Sequence, residues 1–156
     1  MSLEQELGFR KPIELTAHES LLNIYYTASC LKKKADGFFR PYNLTDVQFN
    51  LMMLLEHQSG RESGLSQAQL SDMMLVNRAN TTSLIDRMEK AELVVRTPAP
   101  ADRRANIVKL TDRGKKLLAK VEPLYADEVK RIMAPLKEPE QKRLIKALEK
   151  IRAHIN

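Results

Sequence analysis

The sequence predicts a mainly α-helical fold with one small β-hairpin. Apolar residues recur at three- and four-residue spacing through most of the 156 positions, which is the period of an amphipathic helix. Three segments begin with Ser or Thr followed three residues later by Glu or Gln, the capping-box pattern of a helix start. Only two short runs, 94–97 and 106–110, have a strand-like composition. These observations favour several helices around a single hairpin.

The first long helix is predicted from its two ends. Thr16 with Glu19 forms a capping box, in which Thr16 would accept from the Glu19 amide. Apolar residues then recur on one face up to about Arg40. Pro41 discourages continuation, because the residue before a proline disfavours the helical conformation.

Two shorter helices follow, each opened by a capping box. Thr45 with Gln48 starts a segment that is apolar almost all round, so we expect this helix to be buried. Ser66 with Gln69 starts a shorter one, whose paired methionines we interpret as core residues.

The stretch from Asn77 to Leu93 is predicted to be a helix with two different halves. Asn77 is a good N-cap, since its side-chain oxygen can accept from a free backbone N–H of the first turn. The first turn and a half is polar, whereas the second half has an apolar stripe at helical spacing. Such a helix is anchored by its C-terminal half and projects its N-terminal half. Together with the preceding short helix it forms a helix-turn-helix, whose second helix enters the major groove of DNA.

The two strand-like runs enclose the segment PAPADRRA at residues 98–105. Its prolines cannot donate to a β-ladder, so the hairpin tip is held open. The tip displays Asp102, Arg103 and Arg104. A hairpin that displays arginines beside a helix-turn-helix is a wing, and we use this name for it below.

Two more helices are predicted after the wing. Thr111 caps the first of them. Pro123 should kink or interrupt it, because proline lacks the backbone donor that a helix interior requires. Pro139 fits the first turn of the last helix.

The long first helix and the two last helices have apolar faces too large for the compact central unit to cover. We expect them to pack on each other and on a second copy, which gives a homodimer with two recognition helices. The predicted division is a winged helix-turn-helix domain at residues 41–114 and a discontinuous dimerisation region at residues 1–40 and 115–156.

Composition favours a nucleic-acid partner over catalysis. The net charge is +6 and the basic excess lies after residue 60, which favours a polyanionic partner. Cys30 is the single cysteine, which excludes an intrachain disulfide, and no signal peptide or membrane-spanning run is present, so we expect a cytoplasmic protein. His18, His57 and His154 are scattered and lie in no nucleophile or metal motif. We therefore predict no enzymatic activity, no cofactor and no metal site.

The chain resembles the MarR family of winged helix-turn-helix regulators over about residues 16–155. The matching segments are Leu44–Phe49, Leu65–Leu75, Asn77–Leu93, and Asp102–Ala105 followed by Val108, Leu110, Thr111 and Gly114. The resemblance implies a homodimer that controls transcription, usually by repression. It also implies release by a small molecule that binds between the dimer arm and the DNA-binding lobe. One departure is Ala91–Glu92, where the family often has a residue followed by glycine. This turn therefore needs a non-glycine residue in a less comfortable conformation, or a different turn.

The predicted DNA contacts lie in the recognition helix and the wing. The polar side chains that should meet the major groove are Arg78, Asn80, Thr81, Thr82 and Ser83. Arg78 and Asn80 are the first choices for base contacts, and the division between bases and phosphates stays open. In the wing, Arg104 is expected in the minor groove, with Asp102 holding it by a salt bridge and Arg103 near phosphate.

An aromatic or amphipathic effector is implied by the resemblance alone. The side chains that could line its pocket, each of which also fits a plain core position, are Tyr25, Tyr26, Phe38, Phe39 and His57. Two alternatives stay open. The first is a redox-responsive regulator acting through Cys30, although a cysteine at this mid-helix position is more often a buried small hydrophobe. The second is an architectural protein that binds DNA without sequence preference.

Overall fold

The computed structural model describes residues 1–60, 64–74, 78–99 and 106–155, with the backbone alone at positions 78 and 79. It contains helices α1 to α7, one 3-10 turn and strands β1 to β3. In chain order they are α1 Leu3–Leu7, α2 Thr16–Phe39, the 3-10 turn Arg40–Tyr42, α3 Asp46–His57, β1 Leu65–Ser66, α4 Gln67–Met73, α5 Arg78–Lys90, β2 Val94–Pro98, β3 Asn106–Leu110, α6 Asp112–Met133 and α7 Glu138–Ile155. The predicted class, mainly α with a β-hairpin wing, is confirmed.

The sheet has three antiparallel strands in the order β1-β3-β2. The wing strands pair in register from Val94 opposite Leu110 to Pro98 opposite Asn106. Strand β1 adds only Leu65 and Ser66 to the other side of β3, and the sequence did not predict it. Two residues are too few to show the alternation that marks a strand.

The capping boxes at Thr45 and Ser66 are confirmed, since each hydroxyl accepts from the amide three residues on and each glutamine reciprocates. An unpredicted box at Ser2 starts α1. The prediction of a capping box at Thr16 is wrong. The N-cap of α2 is Leu15, which makes no side-chain cap hydrogen bond, because its extended backbone places Thr16 one residue inside the helix.

The core is centred on α3. Its buried residues are Phe49, Leu51, Met52 and Leu55, and they belong to one cluster that also includes residues of α2, α4, α5, α6 and the sheet. Three aromatic rings from different helices meet there. The centroid of Phe39 on α2 lies 4.8 Å from that of Phe49 and 5.6 Å from that of Tyr125 on α6. This ring cluster fixes the long helices to the central unit.

The two last helices differ in burial. Helix α6 buries Leu118 and Val121, and it continues through Pro123, so the predicted interruption does not occur. Pro139 lies in the first turn of α7, as predicted. None of the 18 residues of α7 is buried. Its exposed large apolar side chains are Leu144, Ile145, Ile151 and Ile155. No helix in the described part of the chain is long and apolar enough to cross a membrane.

A tight turn joins α5 to the wing. The Leu93 amide donates to the Met88 carbonyl at 2.9 Å, and the Glu92 amide donates to Glu89 at 2.8 Å, which together form a Schellman motif. Glu92 has a φ of 57°, a conformation that glycine adopts more easily. The expectation of a non-glycine residue in an uncomfortable conformation is therefore confirmed. The Thr111 hydroxyl donates to the Glu92 carbonyl at 2.6 Å and holds the turn in place.

The start of α6 packs directly on this turn through Gly114. A Cβ at this position would lie 2.2 Å from the Leu93 carbonyl oxygen and 3.2 Å from the side chain of Leu110. The first distance is far too short and its partner is backbone, whereas the second is a tight contact that a small shift of the Leu110 side chain would relieve. Glycine is therefore required because α6 and the wing approach each other so closely.

We expect Gly114→Ala to lower the free energy of unfolding by about 2 kcal/mol or more, since the methyl group must displace backbone. Gly37→Ala is the matched control: it lies in α2 with nothing within 4 Å of the added methyl. This control should be neutral or stabilising by about 0.5–1 kcal/mol. Urea denaturation of both variants measures the difference, and equal stability of the two would contradict the close approach.

Candidate nucleic-acid interface

Helix α5 packs by its second half, as the sequence predicted. Leu84, Ile85 and Met88 are buried in the core, and α4 packs against α5. From position 80 onward, the exposed side chains of α5 are Asn80, Ser83, Asp86, Arg87 and Lys90. A polar face is therefore presented to solvent by a helix whose other face is fixed.

The predicted contact residues divide into separate groups. Asn80 and Ser83 are exposed. Thr81 is 0% exposed, so its assignment to the major groove is corrected: this side chain packs inside the protein. Thr82 is half-buried, and its hydroxyl accepts from Gln67 of α4 at 2.6 Å. Threonine fits both faces of a helix, so its type alone did not show which face is buried.

Several predicted residues lie outside the described part of the chain. They are the N-cap Asn77, the Arg78 side chain, and the wing-tip residues Asp102, Arg103 and Arg104. Their assignments stay predictions.

Arg87 was not among the predicted contacts. It is exposed, and its Nε donates to the Ser83 carbonyl at 3.3 Å, which keeps the side chain along the helix. Asn80, Ser83 and Arg87 are spaced by three and four residues and so lie on one face. This spacing could have identified Arg87 from the sequence, but the prediction took contacts only from the N-terminal half of the helix.

Arg96 ties the wing to α5. Its backbone amide donates to Glu89 Oε1 at 2.9 Å, and its guanidinium bonds Asp86 at 2.6 Å and the second oxygen of Glu89. Burial lowers the pKa of Arg96, but the hydrogen bond to Asp86 and the charge of Glu89 outweigh burial, and the pKa is raised overall. Arg96 therefore stays charged and neutralises two carboxylates on the recognition helix.

A cavity of about 680 Å³ lies between α2, α3 and α6. Of the predicted effector residues, Phe38 and Phe39 line it. The other three are not among its lining residues, and their assignment to an effector pocket stays a prediction. Tyr25 is 67% exposed, Tyr26 lies one turn before Cys30 on α2, and the His57 ring bonds Glu122 at 2.8 Å instead. The cavity wall is mostly apolar.

Charged pairs lie at the rim of this cavity. Lys34 on α2 lies 3.7 Å from Glu128 on α6. The pKa of Glu128 is lowered, first by its hydrogen bond to Arg131, so the carboxylate is charged at neutral pH. Lys32 Nζ bonds Asp46 at 3.1 Å, and this hydrogen bond is the main reason that the pKa of Lys32 is raised.

A second cavity, of about 320 Å³, lies between this rim and α5. Lys32 and Asp46 line both cavities, and the second is completed by residues of the recognition helix that include Asn80 and Arg87. The ion pair of Lys32 and Asp46 is therefore a wall shared by the larger cavity and the space beside the recognition helix.

Cys30 is exposed on α2, so the expectation of a buried cysteine is wrong for this chain. The pKa of the neighbouring Tyr26 is raised, first by the charge of Cys30. The two residues lie one helical turn apart on α2.

A helix-turn-helix with a buried anchoring half, a polar exposed face and an adjoining hairpin defines a winged helix-turn-helix protein. The MarR family profile matches residues 42–105, which span α3 to the wing. Taken with the relatives below, this match shows that the chain belongs to the MarR family of transcriptional regulators.

Relatives and solved structures agree with this assignment. The chain is 34% identical to the uncharacterized HTH-type transcriptional regulator YsmB of Bacillus subtilis over 113 residues, which are 71% of this chain and 73% of YsmB. It is similar to the MarR family regulator Sco3205 of Streptomyces coelicolor, solved in complex with DNA, with 26% identity, a TM-score of 0.75 and coverage of 92% and 91%. AbsC, also from Streptomyces coelicolor, shares the fold at 22% identity with a TM-score of 0.80 over 93% of this chain and 98% of AbsC.

Proposed function

We propose that this chain is a homodimeric, sequence-specific repressor that binds a pseudo-palindromic operator and is released by a small-molecule effector. The observation that carries the proposal is the exposed polar face of α5, held by a buried opposite face beside the wing. Short polar side chains and an arginine on that face suit hydrogen bonding to base edges and phosphates. The DNA complex of Sco3205 supports binding to duplex DNA.

The revised set of contacts keeps Asn80 and Ser83 and adds Arg87, while Arg78 and the wing tip remain proposals from sequence. Thr82 is assigned a supporting role, because its hydroxyl is already bonded to Gln67. The arginines of the wing are assigned to the minor groove, where a narrow A·T-rich form concentrates negative potential.

We expect the protein to bind DNA from upstream of its own gene more tightly than a scrambled duplex, measured by fluorescence anisotropy at about 150 mM salt. Arg87→Gln should lower the affinity and reduce the salt slope by about one unit, because one phosphate contact is lost. Lys142→Gln is the control, since it removes one charge from α7, where Lys142 pairs with Glu138. Equal weak binding of both duplexes would favour the architectural alternative.

The homodimer is proposed from the apolar surface that the chain leaves uncovered. Helix α7 buries none of its residues, and exposed apolar side chains also lie on α2 and α6. Leu144, Ile151 and Ile155 follow one face of α7 at helical spacing. This surface supports the assignment of residues 1–40 and 115–156 to dimerisation and of residues 41–114 to DNA binding.

We expect a dimer in analytical ultracentrifugation, and we expect Ile151→Glu to shift it towards monomer and to weaken operator binding. A buried, unpaired carboxylate in the contact would cost several kcal/mol, and every 1.4 kcal/mol lowers the affinity of the dimer about tenfold. Lys146→Glu, on the polar face of the same helix, is the matched control and should remain a dimer. Two monomeric species, or two unchanged dimers, would contradict this assignment.

The effector site is proposed to be the cavity of about 680 Å³ between α2, α3 and α6. Its apolar wall suits an aromatic ring, and the ion pairs of Lys32 with Asp46 and of Lys34 with Glu128 at the rim suit a polar substituent. An occupant would contact the same Lys32 and Asp46 that border the space beside α5. A ligand in the cavity would thereby be linked to the position of the recognition helix through Lys32 and Asp46.

Anilinonaphthalene sulfonate, an aromatic anion, is a suitable probe of this cavity. We expect it to weaken operator binding by the wild type and to have less effect on Ala35→Phe, in which the added ring fills the cavity. Ala119→Phe adds the same ring at an exposed position of α6 and should respond like the wild type. Identical responses of the two variants would place the dye, and the effector, elsewhere.

Exposure of Cys30 favours the redox-responsive alternative more than the sequence did. A thiol that contacts solvent is open to oxidation, whereas a buried one is not. Intact-mass spectrometry after mild peroxide treatment, followed by the same anisotropy assay, decides between a reactive and an inert cysteine.

A further inference from the structure

Strand β2 is an edge strand, and Arg96 lies on it within the wing. In the described part of the chain, the sheet order places β3 on one side of β2 and no strand on the other. The backbone amide of Arg96 donates to Glu89 Oε1 of α5 at 2.9 Å. The recognition helix therefore supplies the partner that a neighbouring strand would otherwise provide, and it covers this part of the edge.

The guanidinium of Arg96 adds two contacts to the same helix. It bonds the second oxygen of Glu89 and, through Nη2, the Oδ1 of Asp86 at 2.6 Å. Asp86 and Glu89 lie three residues apart and thus project from the same side of α5. A planar guanidinium that bonds two carboxylates fixes orientation as well as distance, which a lysine ammonium does not.

These contacts form a second tie between α5 and the wing. The first tie is the turn at Glu92, which Thr111 holds by its hydrogen bond to the Glu92 carbonyl. The base of the wing is also fixed by Val94, Val108 and Leu110, which are buried in the core, and by the pairing of β3 with β1. The second tie lies four residues after Glu92 in the chain and joins the outer edge of β2 directly to the side of α5.

We propose that Arg96 is a positioning residue for DNA binding, which holds the wing at a fixed angle to the recognition helix so that both elements bind the duplex together. The inference rests on the proposed function. Arg96 has an exposed side-chain fraction of 24%, so its guanidinium is directed towards α5 and is largely unavailable to DNA. Its effect on affinity is exerted through the geometry of the two elements that it joins.

Neutralisation of Asp86 and Glu89 is a separate effect of the same arginine. Two uncompensated carboxylates on the recognition helix would repel phosphate. Removal of Arg96 therefore changes both geometry and charge, and the test must separate them. In Glu89→Gln, the side-chain amide oxygen of glutamine can still accept a hydrogen bond from the backbone N–H of Arg96. Glu89→Gln and Asp86→Asn therefore remove the negative charges without removing this hydrogen bond.

The test compares Arg96→Met with the triple variant Asp86→Asn, Glu89→Gln, Arg96→Met. Methionine keeps an unbranched apolar stem and removes the guanidinium. We expect Arg96→Met to fold and to lose operator affinity by about tenfold, with a smaller loss on scrambled DNA, because preorganisation of two elements is lost. The triple variant should also bind the operator more weakly than the wild type, by most of the same factor. Arg96→Lys, which retains the charge without the planar fork, should recover only part of the affinity.

Arg113→Met is the matched control. Arg113 also pairs with a glutamate, Glu92, at 2.8 Å, but its side chain is 66% exposed and the pair joins α6 to the turn. We expect this variant to bind the operator like the wild type. Melting temperatures of all variants show whether any loss of affinity follows from unfolding.

A measurement without DNA tests the geometry itself. Spin labels at Lys90 on α5 and Asn106 at the start of β3, in a Cys30→Ser background, report the distance between helix and wing. Arg96→Met should broaden the distance distribution, and Arg113→Met should not.

Three results would each overturn the positioning role. The spin-label distances of Arg96→Met could be unchanged, or this variant could bind the operator as tightly as the wild type. The third is a triple variant that recovers the full operator affinity of the wild type. The last result would mean that Arg96 acts by charge alone. Failure of the wild type to bind any DNA would overturn the proposed function instead, and the spin-label distances would still show whether Arg96 fixes the wing.

Discussion

The close contact between Gly114 and the carbonyl of Leu93 is the constraint on which the DNA-binding surface depends. It brings the start of α6 against the turn between α5 and the wing, and it leaves no room for a side chain. Glu92 takes a left-handed conformation in that turn, and Thr111 both caps α6 and bonds the Glu92 carbonyl. Recognition helix, wing and α6 are therefore fixed at one point, and the orientation of each determines that of the others.

The core and the larger cavity are built from the same helices. The rings of Phe39, Phe49 and Tyr125 join α2, α3 and α6 in the core, and all three also line the cavity. A change in the cavity therefore acts on residues that hold the long helices to the DNA-binding unit. The ion pair of Lys32 and Asp46 extends this connection to the space beside α5. The molecule thus has a continuous set of contacts from cavity to recognition helix.

Sequence predicted those features that depend on local chemistry. The capping boxes at Thr45 and Ser66, the two wing strands and the anchored half of α5 follow from residue type and spacing. Features that depend on distant contacts were missed. Burial of Thr81 is decided by the helices that pack against it, and the role of Arg96 requires a strand and a helix to meet. Cap assignment failed at Thr16 because the helix begins one residue earlier than the pattern implied, with Leu15 as the extended N-cap.

Pro123 divides α6 into parts with different surroundings. Leu118 and Val121 before it are buried in the core, whereas Glu128, Val129 and Ile132 after it face the cavity. A proline gives no backbone donor to the carbonyl four residues earlier, so the helix has one hydrogen bond fewer at this level. Resistance to bending is lowest where that bond is missing. A bend of α6 at this level would change the shape of the cavity, because it would move the far half of the helix while the near half keeps its packing.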